Sequence, residues 1–435
     1  MAMAVAAYRA TSTSRQFAAI INKKGIQILK RISACAYSKG IVNNSSSSGT
    51  QLFEVSGHRG FLPAVNPPLH LSHPQFSPWE ETLHDLPKLL VAFDHGQKLR
   101  QTIEKLPPFS YQQLLEGGDS EIWRGMLVLS FIAHAYVWGA PSPVSVLPSK
   151  LAVPFCKVSS CLDMPPVLTY ATYNLLNWRV LDENSAIELG NIVCLHNFYG
   201  GLDEEWFRLV HVDIEAKAGI GLKALVDAHD AIAQQDVAQV HSSLTKMAHT
   251  LKMMQKTLSQ MGEKCDPHIY YHRIRKFMSG WRGNPALPNG MFYEGVWSDS
   301  KFFYGETGAQ SSIIPAFDAA LGVTHATGPL SDYLQVMRLH MPLSHRSYIQ
   351  QIENGPSIRL FVSAHLSELG ECYDTCLTEL FRFRALHMKY ASAYITQPGK
   401  KSQKEEKGTG GTDFIPYLLQ NATTTKEHLI KANDV

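Results

Sequence analysis

The chain has 435 residues, of which 45% are hydrophobic and 18% are charged, as in an ordinary globular protein with ample material for a core. A formal net charge of +2 gives no case for nucleic acid or an anionic membrane surface as a partner. Seven cysteines, an odd number in so long a chain, argue against a disulfide framework and indicate a reducing compartment.

Residues 1–53 differ in composition from the rest of the chain. They contain no Asp or Glu, carry several Lys and Arg residues, and end in the Ser-rich stretch NNSSSSGT. This composition is typical of a transit peptide, and the alternative is a disordered tail that carries no address. We therefore expect a cytoplasmic protein, or a mitochondrial one if the segment is a transit peptide. In both cases residues 1–53 are excluded from the predicted fold.

Helical periodicity dominates the remainder, and no long alternating strand pattern or βαβ rhythm appears. The longest apolar run, 125–140, is too short to span a bilayer comfortably and has a histidine in its middle, so it predicts a buried helix. The sequence predicts helices over 78–104, 110–116, 120–138, 166–180, 204–234, 237–262, 267–280, 310–321, 329–339 and 368–396. The prediction is an all-α protein with a small helical domain at 54–200 and a larger one at 201–435. Residues 398–413, charged and Gly-rich, are predicted to form a mobile surface loop.

One histidine on the last predicted helix allows two interpretations. His387 lies in the stretch FRFRALHMKYASAYI, 381–395, on a helix face shared with Leu380, Phe383, Ala391 and Tyr394. It is either a core histidine whose ring nitrogens have protein partners, or a ligand of a metal or heme iron. The pattern of this helix face alone does not decide between the two interpretations.

Three further segments have unusual residue combinations. Phe207 and His211 share a helix face, which places an aromatic ring beside an imidazole. Arg275 lies one turn after Tyr271 on an otherwise apolar face, where it forms a surface salt bridge or holds a carboxylate with its two parallel donors. The segment FYGETGAQSS, 303–312, is a glycine-punctuated turn that would let a flat ligand approach the backbone, and it lacks the common nucleotide-binding patterns.

The residues from about 54 to 432 resemble the indoleamine 2,3-dioxygenases, heme enzymes of tryptophan degradation. The resemblance is carried by ordered stretches along the chain: MPPVLTYATYNLLNW, WFRLVHVDIEA, SGWRGNPALPNGMFYEG, GAQSSIIPAFDAALG, MPLSHR, LHMKY and KGTGGTD. It implies an all-helical, two-domain fold with heme b between the small and the large domain.

The resemblance also implies roles for individual residues. His387 matches the family's proximal iron ligand, and Arg384 and Asp318 match a pair behind that ligand. Gly308 and Ala309 match a turn beside the heme. The positions that match the family's substrate pocket are Tyr170, Tyr173, Phe207, Tyr270, Tyr271, Arg275 and Thr409, with Arg275 as the holder of the substrate carboxylate.

The sequence departs from the family's pattern at two places. Glu306, within Gly305–Gly308, puts a carboxylate near the heme edge, and His211 replaces a small hydroxyl residue on the distal side. A histidine at this place is similar to the tryptophan 2,3-dioxygenases, the sister family. These departures affect substrate affinity rather than the fold or the heme.

The implied function is oxidative opening of the indole ring of L-tryptophan, or of related indoles, to N-formyl-kynurenine, the entry to the kynurenine pathway. His211 and Arg275 are the predicted catalytic residues, and dioxygen and an electron donor that keeps the iron ferrous are the expected partners. We expect a monomer that binds neither nucleic acid nor membrane. The alternative is a myoglobin-like oxygen-binding protein, a role found among relatives of this superfamily; such a carrier has no need of Arg275.

Overall fold

In the computed structural model, the structure describes residues 52–92, 96–401 and 414–430. Nearly all regular elements are helices, which confirms the all-α class. The first six α-helices are α1 (Ser77–His84), α2 (Leu86–Val91), α3 (Gln97–Lys105), α4 (Tyr111–Glu116), α5 (Asp119–Trp138) and α6 (Ser149–Cys161). The next five are α7 (Leu202–Ala233), α8 (Val237–Ser259), α9 (Met261–Lys264), α10 (Pro267–Ile269) and α11 (Arg275–Met278). The last seven are α12 (Ile313–Leu321), α13 (Pro329–Arg338), α14 (Leu343–Glu353), α15 (Ile358–Ala364), α16 (Leu366–Ala391), α17 (Gln397–Lys401) and α18 (Phe414–Glu427).

Three long helices form the frame of the C-terminal half, in which α8 packs along both α7 and α16. The acidic start of α7 favours a helix N-terminus, as the sequence predicts, because carboxylates interact well with the positive end of the helix dipole. Glu204 in this first turn also accepts backbone hydrogen bonds from Phe198, Tyr199 and Gly200, at 2.8–2.9 Å. The preceding loop is thereby fastened to the helix.

The N-terminal half is built around α5, which is buried along almost its whole length against α1, α4 and α6. Its histidine, His134, has both ring nitrogens paired, one with the carbonyl of Phe277 at 2.6 Å and one with the N–H of Leu168 at 2.9 Å. Among the described residues, no helix is both long and apolar enough to cross a membrane.

The strands in the described residues are very short and form two pairs. β1 (Val146–Leu147) pairs in parallel with β4 (Phe292–Tyr293), and β2 (Trp178–Val180) pairs antiparallel with β3 (Ile192–Cys194). The parallel pair joins a loop of the N-terminal half to a loop that precedes the glycine-punctuated turn.

Several predicted helix boundaries were wrong. The prediction of one helix over 78–104 fails because the chain turns at Asp85 and again after Val91, giving α1, α2 and α3. The prediction over 166–180 fails because a five-residue π-helical turn is followed by β2. The sequence analysis missed α6, whose Pro154 lies inside the helix, and it also missed α14, α15 and α18.

In the described part of the chain, three π-helical turns interrupt or replace predicted α-helix: Ala171–Leu175, Tyr270–Ile274 and Ser392–Thr396. The second lies between α10 and α11, and the third continues α16. Such wide turns are rare and are found frequently at functional sites. All three lie next to the same cavity, which is described below.

The described residues all belong to one compact unit, Thr50–Val435, with a continuous buried core. The division into domains at 200/201 stays a prediction. Of the predicted loop 398–413, residues 398–401 belong to α17, and the remainder lies outside the described residues, as do residues 1–51.

Candidate active site

A cavity of about 840 Å³ lies between α7, α12, α16 and the turn that contains Gly308. This volume is within the range of cofactor and substrate sites in proteins. Nine of the predicted site residues border it: Tyr170, Phe207, His211, Tyr270, Gly308, Ala309, Asp318, Arg384 and His387. Residues far apart in sequence are thus brought to one place.

His387 projects from α16 and borders the cavity. Burial, and to a smaller extent the charge that His211 carries when it is protonated, lowers the pKa of its imidazole to about 4. Its ring has no hydrogen-bond partner within the described part of the chain. The ring is therefore neutral near pH 7, and a nitrogen lone pair is available to a ligand in the cavity.

His211 projects from α7 into the same cavity. Its Nδ1 lies 2.7 Å from the carbonyl oxygen of Phe207, one helical turn earlier. A carbonyl can only accept, so Nδ1 carries the proton. Burial lowers the pKa of this imidazole, which keeps the ring neutral and leaves Nε2 as an acceptor.

Aromatic side chains form a continuous wall of the cavity. The Phe207 ring lies 4.7 Å from the His211 ring and 4.6 Å from the Tyr270 ring, measured between centroids. The Tyr170 ring lies 6.0 Å from the His211 ring, and the Tyr394 ring lies 5.6 Å from the Tyr270 ring. Such a wall fits a flat aromatic ligand, because offset and edge contacts between rings are favourable at these distances.

An ion pair supports the cavity beside His387. Arg384, one turn before His387, donates from Nη2 to Asp318 Oδ2 at 2.5 Å, and His325 Nε2 lies 3.2 Å from the same oxygen. Arg384 also donates to the hydroxyl of Thr425 on α18. Burial opposes ionisation of Asp318, but Arg384 and His325 outweigh it and hold the pKa of this carboxyl below its ordinary value. The pair therefore stays charged and ties α16 to α12 and α18.

Three predicted site residues, Tyr173, Tyr271 and Arg275, do not border the cavity. Tyr173 is fully buried behind it, with the guanidinium carbon of Arg208 4.8 Å from its ring centre. Arg275 lies with its guanidinium carbon 5.6 Å from the ring of Tyr271, and burial lowers the pKa of the guanidinium. Thr409 is among residues 402–413, outside the described residues.

Sequence reasoning missed a buried carboxyl behind the cavity wall. Glu215 lies one turn after His211 and is fully buried. It accepts a hydrogen bond from Ser311 Oγ at 2.7 Å, and it hydrogen-bonds to the hydroxyl of Tyr170. Burial raises the pKa of this carboxyl to about 7, although both hydrogen bonds lower it. Its spacing of four residues from His211, which places both side chains on one helix face, could have indicated its position near the cavity.

The donor set at the cavity fits a cofactor with one protein ligand better than a bare metal ion. Among the described residues there is no group of three or more His, Cys, Asp or Glu side chains placed to hold a metal. A bare ion is usually held by three or more such ligands. A heme can be held by a single imidazole in a cavity with apolar walls, and His387 and the surrounding side chains provide these. The backbone at Gly308 is open, since a Cβ added there would meet nothing within 4 Å.

Comparison with known proteins is consistent with this arrangement. The family model for indoleamine 2,3-dioxygenase matches residues 50–428. The chain belongs to the indoleamine 2,3-dioxygenase family. It is 35% identical to indoleamine 2,3-dioxygenase 1 of Rattus norvegicus over 383 residues, covering 84% of this chain and 93% of the relative. It is 34% identical to indoleamine 2,3-dioxygenase 2 of Homo sapiens, covering 87% and 95% of the two chains.

The match extends to distant organisms and to nearly the full length of the relatives. The indoleamine 2,3-dioxygenase of Saccharomyces cerevisiae is 31% identical, with 87% of this chain and 96% of that protein covered. Family membership therefore applies to almost all of the described residues, including every element that borders the cavity.

Proposed function

We propose that this chain is a heme-dependent dioxygenase that opens the indole ring of L-tryptophan to N-formyl-kynurenine. Its membership of the indoleamine 2,3-dioxygenase family supports the reaction class. The observation that carries the proposal is the pairing of two neutral imidazoles, His387 and His211, in one cavity with an aromatic wall. One imidazole is suited to an iron, and the other is suited to an indole N–H.

His387 would hold the heme iron, and the Arg384–Asp318 pair would fix the helix that carries it. Gly308 and Ala309 border the cavity where close approach of a flat ring is possible. When bound, heme supplies the activation of dioxygen and the insertion of both oxygen atoms across the pyrrole double bond. The protein residues bind the substrate, orient it and exclude water.

The substrate indole would lie against Phe207 and Tyr270, with Tyr170 beside it. His211 Nε2 would accept a hydrogen bond from the indole N–H, because Nδ1–H is already donated to the Phe207 carbonyl. A fixed indole plane lowers the entropic cost of reaching the reactive geometry. The substrate roles of Tyr173, Tyr271, Arg275 and Thr409 stay predictions from the family resemblance.

The arrangement of His211 disfavours the myoglobin-like alternative. A distal histidine that stabilises dioxygen must donate a proton from the nitrogen that faces the ligand. Here the proton of the neutral ring is on Nδ1, which faces the Phe207 carbonyl, and burial opposes a second proton. We include in the proposal an external electron donor, a monomeric state and a cytoplasmic location, with a mitochondrial location as the alternative.

The test is aerobic incubation of the reduced, heme-loaded full chain with L-tryptophan. We expect the absorbance of N-formyl-kynurenine to appear with continued turnover. A stable oxygenated spectrum with no product would contradict the dioxygenase and support oxygen carriage.

The variant His211→Ser tests the role of the distal imidazole. We expect the KM or kcat for tryptophan to change several-fold, since one hydrogen bond is worth about 1 kcal/mol. The rate of dioxygen dissociation should hardly change. The reverse pattern, with unaltered tryptophan kinetics and much faster dioxygen loss, would contradict the indole role.

A further inference from the structure

A buried carboxyl that the proposed reaction does not use, Glu215, lies behind the aromatic wall of the cavity. It belongs to α7, one turn after His211, and it is fully buried. The carbonyl of the same residue lies directly against Gly60, with too little space there for a side chain at position 60. The position of Glu215 relative to the surrounding backbone is thereby fixed.

The carboxyl of Glu215 interacts with two hydroxyl groups of residues that border the cavity. Ser311 Oγ donates to Glu215 Oε1 at 2.7 Å, and the hydroxyl of Tyr170 forms the second hydrogen bond. Ser311 directly follows the turn that contains Gly308, and Tyr170 directly precedes the first π-helical turn. Glu215 therefore connects α7 to two other segments of the cavity wall.

The side chain of Tyr170 lies between two attachments. Its backbone N–H donates to Gln310 Oε1 at 2.9 Å, and Gln310 Nε2 donates to the carbonyl of Gly305 at 2.8 Å. Its hydroxyl, at the other end, is held by Glu215. The ring between these two ends lies 6.0 Å from the His211 ring. A ring fixed in this way favours ligand binding, because little further rotamer freedom is lost when the ligand arrives.

The strength of the hydroxyl attachment depends on whether Glu215 is ionised. A carboxylate only accepts hydrogen bonds, and bonds to a charged acceptor are about twice as strong as bonds between neutral groups. Burial raises the pKa of Glu215 to about 7, although the hydrogen bonds with Ser311 and Tyr170 lower it. Both protonation states of Glu215 are therefore populated near pH 7.

Other titratable groups face the same part of the wall. Besides Glu215, Glu306 acts on the Tyr170 hydroxyl, and burial raises the pKa of Glu306 to about 8. Burial lowers the pKa of His211 and raises the pKa of Tyr170 well above its ordinary value. Above pH 7 the imidazole therefore stays neutral and the phenol stays protonated, so Glu306 is the group whose titration must be separated from that of Glu215.

We propose that Glu215 is a positioning residue of the active site: it holds Tyr170 and Ser311 in the cavity wall, more firmly when it is ionised, and thereby sets the affinity for the indole ring. This inference rests on the proposed function for the identity of the ligand. It adds a group behind the wall that acts through Tyr170 and does not touch the substrate.

The state of the Tyr170 hydroxyl can be measured without substrate and without turnover. The probe is the carbon-13 NMR signal of the ring carbon that bears the hydroxyl, in tyrosine-labelled, heme-loaded full chain in its diamagnetic ferrous carbon monoxide form. The Tyr170 signal is the one that is missing in Tyr170→Phe. In the wild type it should shift with a midpoint near pH 7, and this step should be absent in Glu215→Gln. A step near pH 8 from Glu306 should remain in the variant.

The affinity for L-tryptophan gives a second readout, by titration of the ferric, heme-loaded full chain. The amide of Glu215→Gln resembles the protonated acid, so at pH 8 this variant should bind about fivefold more weakly than the wild type. At pH 6 the Glu215 carboxyl is mostly protonated, and the two proteins should differ by less than about twofold. Comparing the two proteins at the same pH removes the contribution of Glu306.

The variant Tyr170→Phe tests whether Glu215 acts through the tyrosine hydroxyl. At pH 8, Glu215→Gln should weaken tryptophan binding by less than about twofold in the Tyr170→Phe background, because the hydroxyl is already absent. A purely structural carboxyl would weaken binding equally in both backgrounds.

The matched control is Asp213→Asn, a change at a buried carboxyl of the same helix that pairs with Lys217 at 2.5 Å and does not border the cavity. It should lower the stability of the protein and leave the pH dependence of tryptophan binding unchanged. Circular dichroism checks that each variant keeps its helices, and the wild-type NMR signal tests the inference even if a variant fails to fold.

Three results would overturn the inference. They are a Tyr170 signal with no step near pH 7 in the wild type, a step that persists in Glu215→Gln, and additive losses of affinity from Glu215→Gln and Tyr170→Phe. A wild type that shows the step and the coupling but forms no N-formyl-kynurenine would contradict the proposed function and support this inference.

Discussion

Hydrogen bonding distinguishes the buried histidines of this protein from one another. His134 has both ring nitrogens paired with backbone groups, which is the ordinary state of a core histidine. The buried ring of His345 lies against Phe53 and Phe61, with Nδ1 3.3 Å from Ser312 Oγ. The His387 ring has no such partner in the described residues and borders a cavity. Its environment therefore favours a ligand role over a core role.

We predict that His387→Ala abolishes stable heme binding. Its imidazole borders the cavity and is the candidate iron ligand. The measurements are heme stoichiometry and the Soret spectrum, with circular dichroism to show that the helices persist. His211→Ala is the matched control, since it removes an imidazole from the same cavity and should retain heme. An unchanged Soret spectrum in His387→Ala would refute the assignment.

The sequence alone could not decide between the two interpretations of His387. Helical spacing places it correctly on a face with Leu380, Phe383 and Tyr394, but the spacing is the same for a core residue and for a ligand. A core histidine and a ligand differ in their surroundings in the folded protein. The His387 ring borders a cavity whose other walls include α7 and the turn at Gly308. Only the family resemblance, which reflects long-range structure indirectly, indicated the ligand role.

Glu215 makes the stability of the protein depend on pH. Its carboxyl has a pKa raised from 4.5 to about 7 by burial, so the folded state keeps a proton that the unfolded state has lost. Its contribution to stability is fully present below about pH 4.5 and is lost as the pH rises through about 7. The buried histidines have lowered pKa values and act in the opposite direction, so only a comparison of variants isolates Glu215.

We predict that the stability of the Glu215→Gln variant increases relative to that of the wild type as the pH rises. From pH 5 to pH 8, the free energy of unfolding of Glu215→Gln should rise relative to that of the wild type by on the order of 2 kcal/mol. Urea denaturation of both heme-loaded proteins at the two pH values measures this shift. Glu54→Gln, a change at an exposed carboxyl, is the control and should show little pH-dependent difference. A difference for Glu215→Gln that is independent of pH would show that the carboxyl titrates normally.

At the scale of elements, the three π-helical turns explain where the predictions from periodicity fail. Each turn supplies or adjoins a tyrosine of the cavity wall: Tyr170 just before the first, Tyr270 at the start of the second and Tyr394 within the third. A π turn accommodates one extra residue, which rotates the following face by about 100° relative to an α-helix. Helices were therefore predicted over 267–280 and 368–396 without the interruptions.

The helix α6 was missed for a different physical reason. Its sequence contains Pro154, and proline inside a helix removes a hydrogen bond and usually costs about 3 kcal/mol. The surrounding prolines led to the prediction of a connection. In the structure, the helix is stabilised by burial of Leu151, Phe155 and Val158. Tertiary packing here outweighs local propensity, and that packing cannot be seen from the local sequence.

We predict that the N-terminal cap of α8 makes a measurable contribution to stability. The Asp236 carboxylate accepts the N–H of Gln239 at 2.9 Å, and α8 packs against both helices that carry the cavity histidines. Asp236→Ala should lower the free energy of unfolding by about 1 kcal/mol. Asp236→Asn should lower it by only a few tenths of a kcal/mol, because Asn caps as well as Asp. Equal losses in urea denaturation would mean that charge, rather than capping, is responsible.

At the scale of the whole molecule, the segment Leu52–Leu62 joins the two predicted domains. Phe53 packs on Trp123 of α5 at 4.8 Å and on His345 of α14 at 5.1 Å, between ring centroids. Phe61 packs on Tyr348 of α14 at 5.5 Å. Gly60 lies directly on α7, where an added Cβ would be 2.2 Å from the carbonyl oxygen of Glu215. The segment therefore contacts α5, α7 and α14 together.

We predict that a chain beginning at Gln51 retains heme stoichiometry and the unfolding midpoint of the full chain, whereas one beginning at Ala64 loses both. The family match starts at residue 50, and Leu52, Phe53, Phe61 and Leu62 are all at most 3% exposed. Each buried side chain of this size is worth about 1.5–3 kcal/mol. The loss of four approaches or exceeds the total stability of a typical protein, about 5–15 kcal/mol. Heme titration and thermal unfolding decide the matter, and a well-folded chain beginning at Ala64 would show that the two halves associate without this segment.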